Sequence, residues 1–134
     1  MIVKREARMQ LRTSEDIVRA RQTVREWCIA EKFNLVGQTK MVTAASELAR
    51  NTVEYGGGGE LQLEAMEDGA RSGVRLTFSD KGPGIPNVEL ALTDGYTSGK
   101  GLGLGLSGAK RLCDQFSIKS VVGQGTDVTI LRWS

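Results

Sequence analysis

The spacing of apolar residues changes several times along the chain, and each change predicts a different element. In ARMQLRT, residues 7–13, apolar Met9 and Leu11 alternate with polar residues, as they do in a strand. Thr13, followed three residues later by Asp16, resembles a capping box and predicts the start of a helix. Helical spacing then continues to about residue 32 through Ile17, Ala20, Val24, Trp27 and Cys28.

A second helix is predicted from about Gln38 to Glu54, after a break at residues 34–37. Glycines at residues 56–59 end this helix, because glycine is a poor helix former. The candidate apolar face of the helix consists of Val42, Ala45, Leu48, Ala49 and Val53.

Alternating segments at residues 60–65 and 74–79 flank the polar EDGARSG, which is typical of a β-hairpin. The following DKGPGIP, residues 80–86, cannot continue a strand, and residues 87–92 are predicted to form a short helix. The middle of the chain therefore contains a hairpin, an irregular loop and one helical turn.

A third substantial helix is predicted from Leu106, with Ala109, Leu112 and Cys113 on its apolar face. FSIKSVV and TDVTILRW then form a closing hairpin around residues 123–125. Because the strands occur in hairpins, we expect an α+β two-layer sandwich with a mixed, mostly antiparallel sheet and helices on one face. Residues 1–134 are predicted to form a single domain.

The charge and composition exclude several kinds of partner. Lysines and arginines number 18 against 16 acidic residues, and the net charge of +2 gives no reason to expect nucleic acid as a partner. No apolar run approaches the roughly 20 residues of a membrane span, and MIVKREARMQ lacks the core of a signal peptide, so we expect a cytoplasmic protein with no membrane partner. Two cysteines and no histidine argue against a disulfide framework or a metal cluster.

The glycine-rich TSGKGLGLGLSG, residues 97–108, comes near two nucleotide-binding motifs without matching either. A P-loop needs four residues between its glycines and a serine or threonine after the lysine, whereas Gly101 follows Lys100 here. The dinucleotide fingerprint is formally present, but no strand leads into it. Backbone amides freed from side chains can nevertheless bind an anion at the start of the helix that follows.

Three other short motifs contain side chains that suit nucleotide chemistry. Glu47 and Asn51 lie four residues apart and project from the same face of the second helix, although polar residues at this spacing are usually a solvated helix surface. Asp80 stands at a strand end, where it can accept hydrogen bonds from an amine, and DKGPGI is otherwise a plain turn. Thr126 begins the last strand after a turn, and its hydroxyl can meet a base or a water.

These motifs, in this order, resemble those of the GHKL ATPase superfamily, which includes gyrase, Hsp90, MutL, histidine kinases and anti-sigma-factor kinases. The resemblance covers nearly the whole chain and implies that ATP and Mg²⁺ are bound. It implies that Glu47 is the general base, that Asn51 binds magnesium, and that Asp80, assisted by Thr126, binds the adenine amino group. Gly82 and Gly84 would shape the adenine pocket. A lid would wrap the phosphates with Gly99, Lys100, Gly101, Leu102, Gly103, Leu104 and Gly105.

The length of the chain and the absence of histidine favour one group within this superfamily. Longer strings such as SEDIVRARQ, SELARN, GAKRLCDQFSI and GTDVTILRW are similar to those of the bacterial partner-switching serine kinases. That group implies phosphorylation of STAS-domain antagonist and scaffold proteins, and activation of a PP2C-type phosphatase by the released kinase. A homodimer is compatible with the resemblance.

Two alternatives stay open: an anti-sigma-factor kinase that sequesters a sigma subunit, and a nucleotide-binding interaction module without catalysis. On charge alone, Arg50 is a further candidate phosphate contact. Trp27, Tyr96 and Trp133 are candidate partner contacts, although a core position is the simpler expectation for both tryptophans.

Overall fold

Five strands and a layer of helices form the described part of the fold in a computed structural model, which describes residues 1–93 and 106–134. The strands are β1 Ile2–Leu11, β2 Gly59–Asp68, β3 Arg71–Asp80, β4 Gln115–Val121 and β5 Gly125–Trp133. The helices are α1 Ser14–Ala30, α2 Leu35–Arg50, α3 Val88–Ala91 and α4 Leu106–Arg111, with a π-helical turn at Asn51–Tyr55 directly after α2.

The sheet has the order β1-β2-β3-β5-β4, and every neighbouring pair of these strands is antiparallel. This arrangement confirms the α+β class and is more regular than the mixed sheet expected. β5 lies between β3 and β4, so the start of the last strand comes to lie beside the end of β3.

One face of the sheet carries the helices, and the other combines polar side chains with the buried Met66 and Leu131. Val74, Leu76 and Phe78 of β3 are buried in the same core cluster as the apolar residues of α1 and α2. On the opposite face, Arg75 donates to Glu64 at 2.8 Å, and further hydrogen bonds join polar side chains across the strands. The helices therefore pack on one face, as the hydrophobic pattern predicted.

The two long helices begin at side-chain caps. Thr13 and Asp16 form the predicted capping box at the start of α1. Asn34 caps α2 by accepting a hydrogen bond from the Gly37 amide at 2.8 Å, so that helix begins at Leu35 rather than at Gln38. The segment interpreted as a break is thus the first turn of α2, because Asn34 acts as an N-cap.

The C-terminal helix α4 is shorter than predicted and ends at Arg111, before Leu112 and Cys113. The chain leaves the helix there because Asp114 joins β5: its amide donates to Leu131 O at 2.8 Å, and its carboxylate accepts from the Trp133 amide at 2.8 Å. Within residues 1–93 and 106–134, no helix is both long and apolar enough to cross a membrane.

The two tryptophans differ in their surroundings. Trp27 is buried in the core, as its place on the apolar face of α1 predicted, and Arg5 lies over its ring at 3.9 Å. Trp133 is half-buried at the end of β5 beneath Arg71, whose guanidinium is 4.2 Å from the ring centroid.

Candidate functional site

A pocket lies between the C-terminal end of α2 and the sheet, where β3 ends and β5 begins. Its polar lining consists of Asn51, Thr52, Tyr55, Asp80 and Thr126. Its apolar lining consists of Leu48, Phe78, Ile85, Leu106 and Val128. An apolar cleft with a few converging polar groups is the usual form of a small-molecule site.

The π-helical turn forms one wall of the pocket. The Gly56 amide donates to Asn51 O at 2.9 Å, a hydrogen bond that spans five residues, and Thr52 Oγ1 donates back to Leu48 O at 2.9 Å. Single π-helical turns inside helices are frequent at functional sites. Here the turn follows α2 immediately and places Asn51, Thr52 and Tyr55 on the pocket wall.

Asn51 lies in the pocket, whereas Glu47 lies outside its lining. The Asn51 Nδ2 atom is buried and has no hydrogen-bond partner among the described residues, so this amide is available to a ligand. The Glu47 side chain is about one-third exposed at 34%, and its carboxylate is 3.2 Å from the Arg50 guanidinium. Arg50 also lies 3.8 Å from Glu54, so it contacts one carboxylate of α2 and one of the π-helical turn.

Asp80 ends β3 and is held from two sides. In the sheet register it faces Gly59 of β2 and Thr126 of β5. Its Oδ1 accepts a hydrogen bond from the Gly82 amide at 2.9 Å. Burial raises the pKa of Asp80 above its ordinary 3.8, and hydrogen bonds from the Gly82 and Thr126 amides oppose this shift. The carboxylate is therefore fixed in place and partly desolvated.

The glycines around Asp80 allow a close approach of two backbones. A Cβ on Gly82 would lie 2.7 Å from the Cα of Gly56, and a Cβ on Gly56 would lie 2.4 Å from Asp80 Cγ. Gly84 has a φ of +77°, and a Cβ there would lie 2.4 Å from Val121 O. Side chains at these positions would push the loop away from the pocket.

Gly56, Tyr55 and Ser120 are site residues that the sequence analysis missed. Gly56 was interpreted only as the end of a helix, although it contacts Asp80. Tyr55 donates its hydroxyl to Gly84 O at 2.9 Å and ties the π-helical turn to the glycine loop. Ser120 lies 2.7 Å from the Thr126 hydroxyl. Only the glycine run itself offered a signal in the sequence, because these contacts join residues that are far apart in the chain.

The structure brings Asn51, Asp80 and Thr126 together around one pocket, with Gly82 and Gly84 in the adjoining loop. The candidate lid residues lie outside the described residues: Gly99, Lys100, Gly101, Leu102, Gly103, Leu104 and Gly105. Tyr96 also lies outside them.

The pocket residues fit a nucleotide with its metal ion. The buried Asn51 Nδ2 atom lacks a partner among the described residues and can donate a hydrogen bond to a ligand oxygen. The side-chain oxygen of the same amide is of the ligand type that Mg²⁺ prefers. The Asp80 carboxylate is an acceptor that suits an amino group, and Thr126 adds a hydroxyl.

A model of the histidine kinase-, DNA gyrase B- and HSP90-like ATPases matches residues 37–133 of the chain. The chain belongs to this family. The match includes α2, the π-helical turn, the glycine loop and both closing strands, and it confirms the resemblance to the GHKL ATPases.

Among known relatives, the chain is similar to the serine/threonine-protein kinase RsbT of Bacillus subtilis strain 168. The two are 41% identical over 125 residues, which cover 93% of this chain and 94% of the relative. At this identity and coverage, the likeness extends over nearly the whole of both chains.

Solved structures of the family share the fold. The RsbU and RsbW domains of Rv1364c from Mycobacterium tuberculosis match with a TM-score of 0.66 and 21% identity, over 96% of this chain and 32% of that one. The chain thus spans about a third of that protein's length. The mycobacterial sensor histidine kinase MprB matches with a TM-score of 0.57 and 19% identity, over 95% of this chain and 97% of that one. At these identities the likeness supports the fold alone.

Proposed function

We propose that this protein is a serine/threonine-protein kinase of the RsbT type. It transfers the γ-phosphate of ATP to a serine or threonine of STAS-domain antagonist or scaffold proteins, and residues 1–134 act as one ATP-binding kinase domain. The observation that carries the proposal is that Asn51, Asp80 and Thr126 line one pocket. Asn51 follows Glu47 by one helical turn. The 41% identity to RsbT supports the choice of substrate class.

The pocket side chains hold the nucleotide. Asp80 accepts a hydrogen bond from the adenine amino group, Thr126 assists at the neighbouring ring position, and the loop containing Gly82 and Gly84 lies against the base. The side-chain oxygen of Asn51 would hold Mg²⁺, which would neutralise charge on the phosphates. The seven lid positions, Gly99 to Gly105, are assigned to phosphate binding by the family resemblance.

Glu47 acts on the acceptor protein. Its carboxylate is partly exposed and belongs to the helical turn before Asn51, so an incoming hydroxyl can reach it. As the hydroxyl oxygen bonds to the γ-phosphorus, the bond from that phosphorus to the β,γ-bridging oxygen breaks, and Glu47 takes the hydroxyl proton. The contact with Arg50 orients this carboxylate before the acceptor arrives.

The proposal extends to a switch between partners. After phosphorylation releases the kinase from its STAS-domain partner, the free protein binds and activates a PP2C-type phosphatase in the cytoplasm. This part of the proposal rests on the likeness to RsbT alone.

Transfer of labelled γ-phosphate to a STAS-domain protein tests the kinase activity. We expect transfer by the wild type, a loss of at least about 100-fold in Glu47→Ala, since general-base catalysis contributes about 10²–10⁴-fold, and near wild-type transfer by Glu54→Ala. Glu54 is the matched control because it is a more exposed glutamate that also contacts Arg50. An acceptor that stays unlabelled while Mg-ATP binds would contradict the proposed activity, and co-purification with a sigma factor would favour an anti-sigma-factor kinase.

A further inference from the structure

Ser120 of β4 stands directly behind the pocket wall. It faces Thr126 across the β4–β5 pair, and the two hydroxyl oxygens are 2.7 Å apart. Thr126 lines the pocket and is 8% exposed, whereas Ser120 is not part of the lining. Ser120 can therefore act on a ligand through the two pocket residues that it contacts, Thr126 and Ile85.

The hydrogen bonds around Ser120 limit where its proton points. Its oxygen accepts the Ile85 amide proton at 2.7 Å, which occupies one lone pair. Its own proton has two acceptors within reach, the Thr126 hydroxyl at 2.7 Å and Gly125 O at 3.3 Å. Hydroxyl hydrogen bonds are normally about 2.5–3.0 Å long, so the Thr126 hydroxyl is the better acceptor.

When Ser120 donates to Thr126, the threonine oxygen is an acceptor on that side and its own proton is free. Thr126 is the register partner of Asp80 across β3 and β5, and both residues line the pocket. The free hydroxyl proton then has the pocket as its open direction. Ser120 thus makes Thr126 a hydrogen-bond donor towards the ligand.

We infer that Ser120 is a positioning residue that gives the pocket its preference for adenine over guanine nucleotides. This inference rests on the proposed ATP site. The carboxylate of Asp80 presents an acceptor and Thr126 presents a donor, which matches the adjacent amino group and ring nitrogen of adenine. Guanine presents a carbonyl oxygen and a ring N–H at these positions, so both contacts with it would be mismatched.

The test measures dissociation constants for Mg-ATP and Mg-GTP by displacement of a fluorescent ATP analogue from the full chain. In Ser120→Ala the Thr126 proton is no longer directed, and we expect the preference for ATP over GTP to fall about 3- to 10-fold, as for the loss of one hydrogen bond. Ser120→Thr keeps the hydroxyl and restores the preference. Ser117→Ala is the matched control, since Ser117 is an exposed serine on the same strand that pairs with Thr129.

A double-mutant cycle separates the inference from a structural role. In a Thr126→Val background, Ser120→Ala should leave the ATP-to-GTP ratio unchanged, because its effect passes through the Thr126 hydroxyl. An equal loss of affinity for both nucleotides, or an undiminished effect in the Thr126→Val background, would overturn the inference. If the wild type prefers ATP and Ser120→Ala has the same preference, the inference is refuted and the proposed function stands. If the wild type binds neither nucleotide, the proposed function is refuted as well.

Discussion

Asp80 is placed at some cost to the stability of the folded chain. Burial raises the pKa of its carboxyl above 3.8, so the folded protein binds this proton more tightly than the unfolded chain does. The stability that the carboxyl contributes is therefore complete below pH 3.8 and is lost as the pH rises through the raised pKa. A group kept ionised in an unfavourable environment is typical of a binding or catalytic site.

Asp80→Asn should separate stability from nucleotide binding. The amide keeps the acceptor for the Gly82 N–H and removes the buried charge, so we expect a thermal midpoint at pH 7 equal to or above that of the wild type. The advantage should shrink towards pH 4. Affinity for Mg-ATP should fall by about 10-fold or more, because a charged hydrogen bond to the amino group is lost. Calorimetric unfolding at several pH values and nucleotide titration check both parts.

Asp127→Asn is the control for this variant. Asp127 follows Thr126 on β5, is exposed and is absent from the pocket lining, and its charge makes only the smallest of the contributions to the pKa of Asp80, so its replacement should leave ATP affinity nearly unchanged. A fall in affinity of equal size in both variants would indicate a general effect of charge and would contradict the specific role of Asp80.

At the scale of elements, the site depends on the contact between the π-helical turn and the glycine loop. Tyr55 reaches Gly84 O, and Gly56 lies against Gly82 and the Asp80 carboxyl. These contacts join the end of α2 to the end of β3, so the Asn51 and Asp80 side chains are held relative to each other. Gly56 is required here because any side chain would overlap the carboxyl.

Gly56→Ala should therefore weaken nucleotide binding without unfolding the chain. The added Cβ would lie 2.4 Å from Asp80 Cγ and 2.6 Å from Asp80 Oδ2, which displaces the carboxylate from its place. We expect ATP affinity to fall by about tenfold, comparable to the loss of one charged hydrogen bond, with an unchanged far-ultraviolet circular dichroism spectrum. Gly108→Ala is the control, because a Cβ at Gly108 meets nothing within 4 Å. Wild-type affinity in Gly56→Ala would contradict this role.

The elements that were predictable are those with a local cause. The capping box at Thr13, the apolar face of α1 and the hairpin of β2 and β3 follow from spacing within a few residues. The π-helical turn was not predictable, since Val53 continues the helical spacing past Arg50. The Asn34 cap was missed because an asparagine followed three residues later by Gly37 is equally typical of a loop.

For the whole molecule, the sheet order brings the candidate site together. Asp80 and Thr126 are 46 positions apart in the chain and become register partners only because β5 lies beside β3. The motifs allowed Asn51, Asp80 and Thr126 to be assigned by family resemblance. Ser120 and Gly56 could not be assigned, because their roles arise from contacts that only the folded sheet creates.

The central claim is that the pocket binds ATP while Glu47 performs transfer. The most direct test is the single-turnover rate of phosphate transfer to a STAS-domain acceptor as a function of Mg-ATP concentration, for the wild type, Asp80→Asn and Glu47→Ala. We predict that Asp80→Asn approaches the wild-type rate when ATP is raised about tenfold or more, in line with its lost hydrogen bond, and that Glu47→Ala stays slow at every concentration. The division of roles would be contradicted if high ATP concentrations restored the transfer rate of Glu47→Ala. It would also be contradicted if both variants transferred phosphate equally slowly at every ATP concentration.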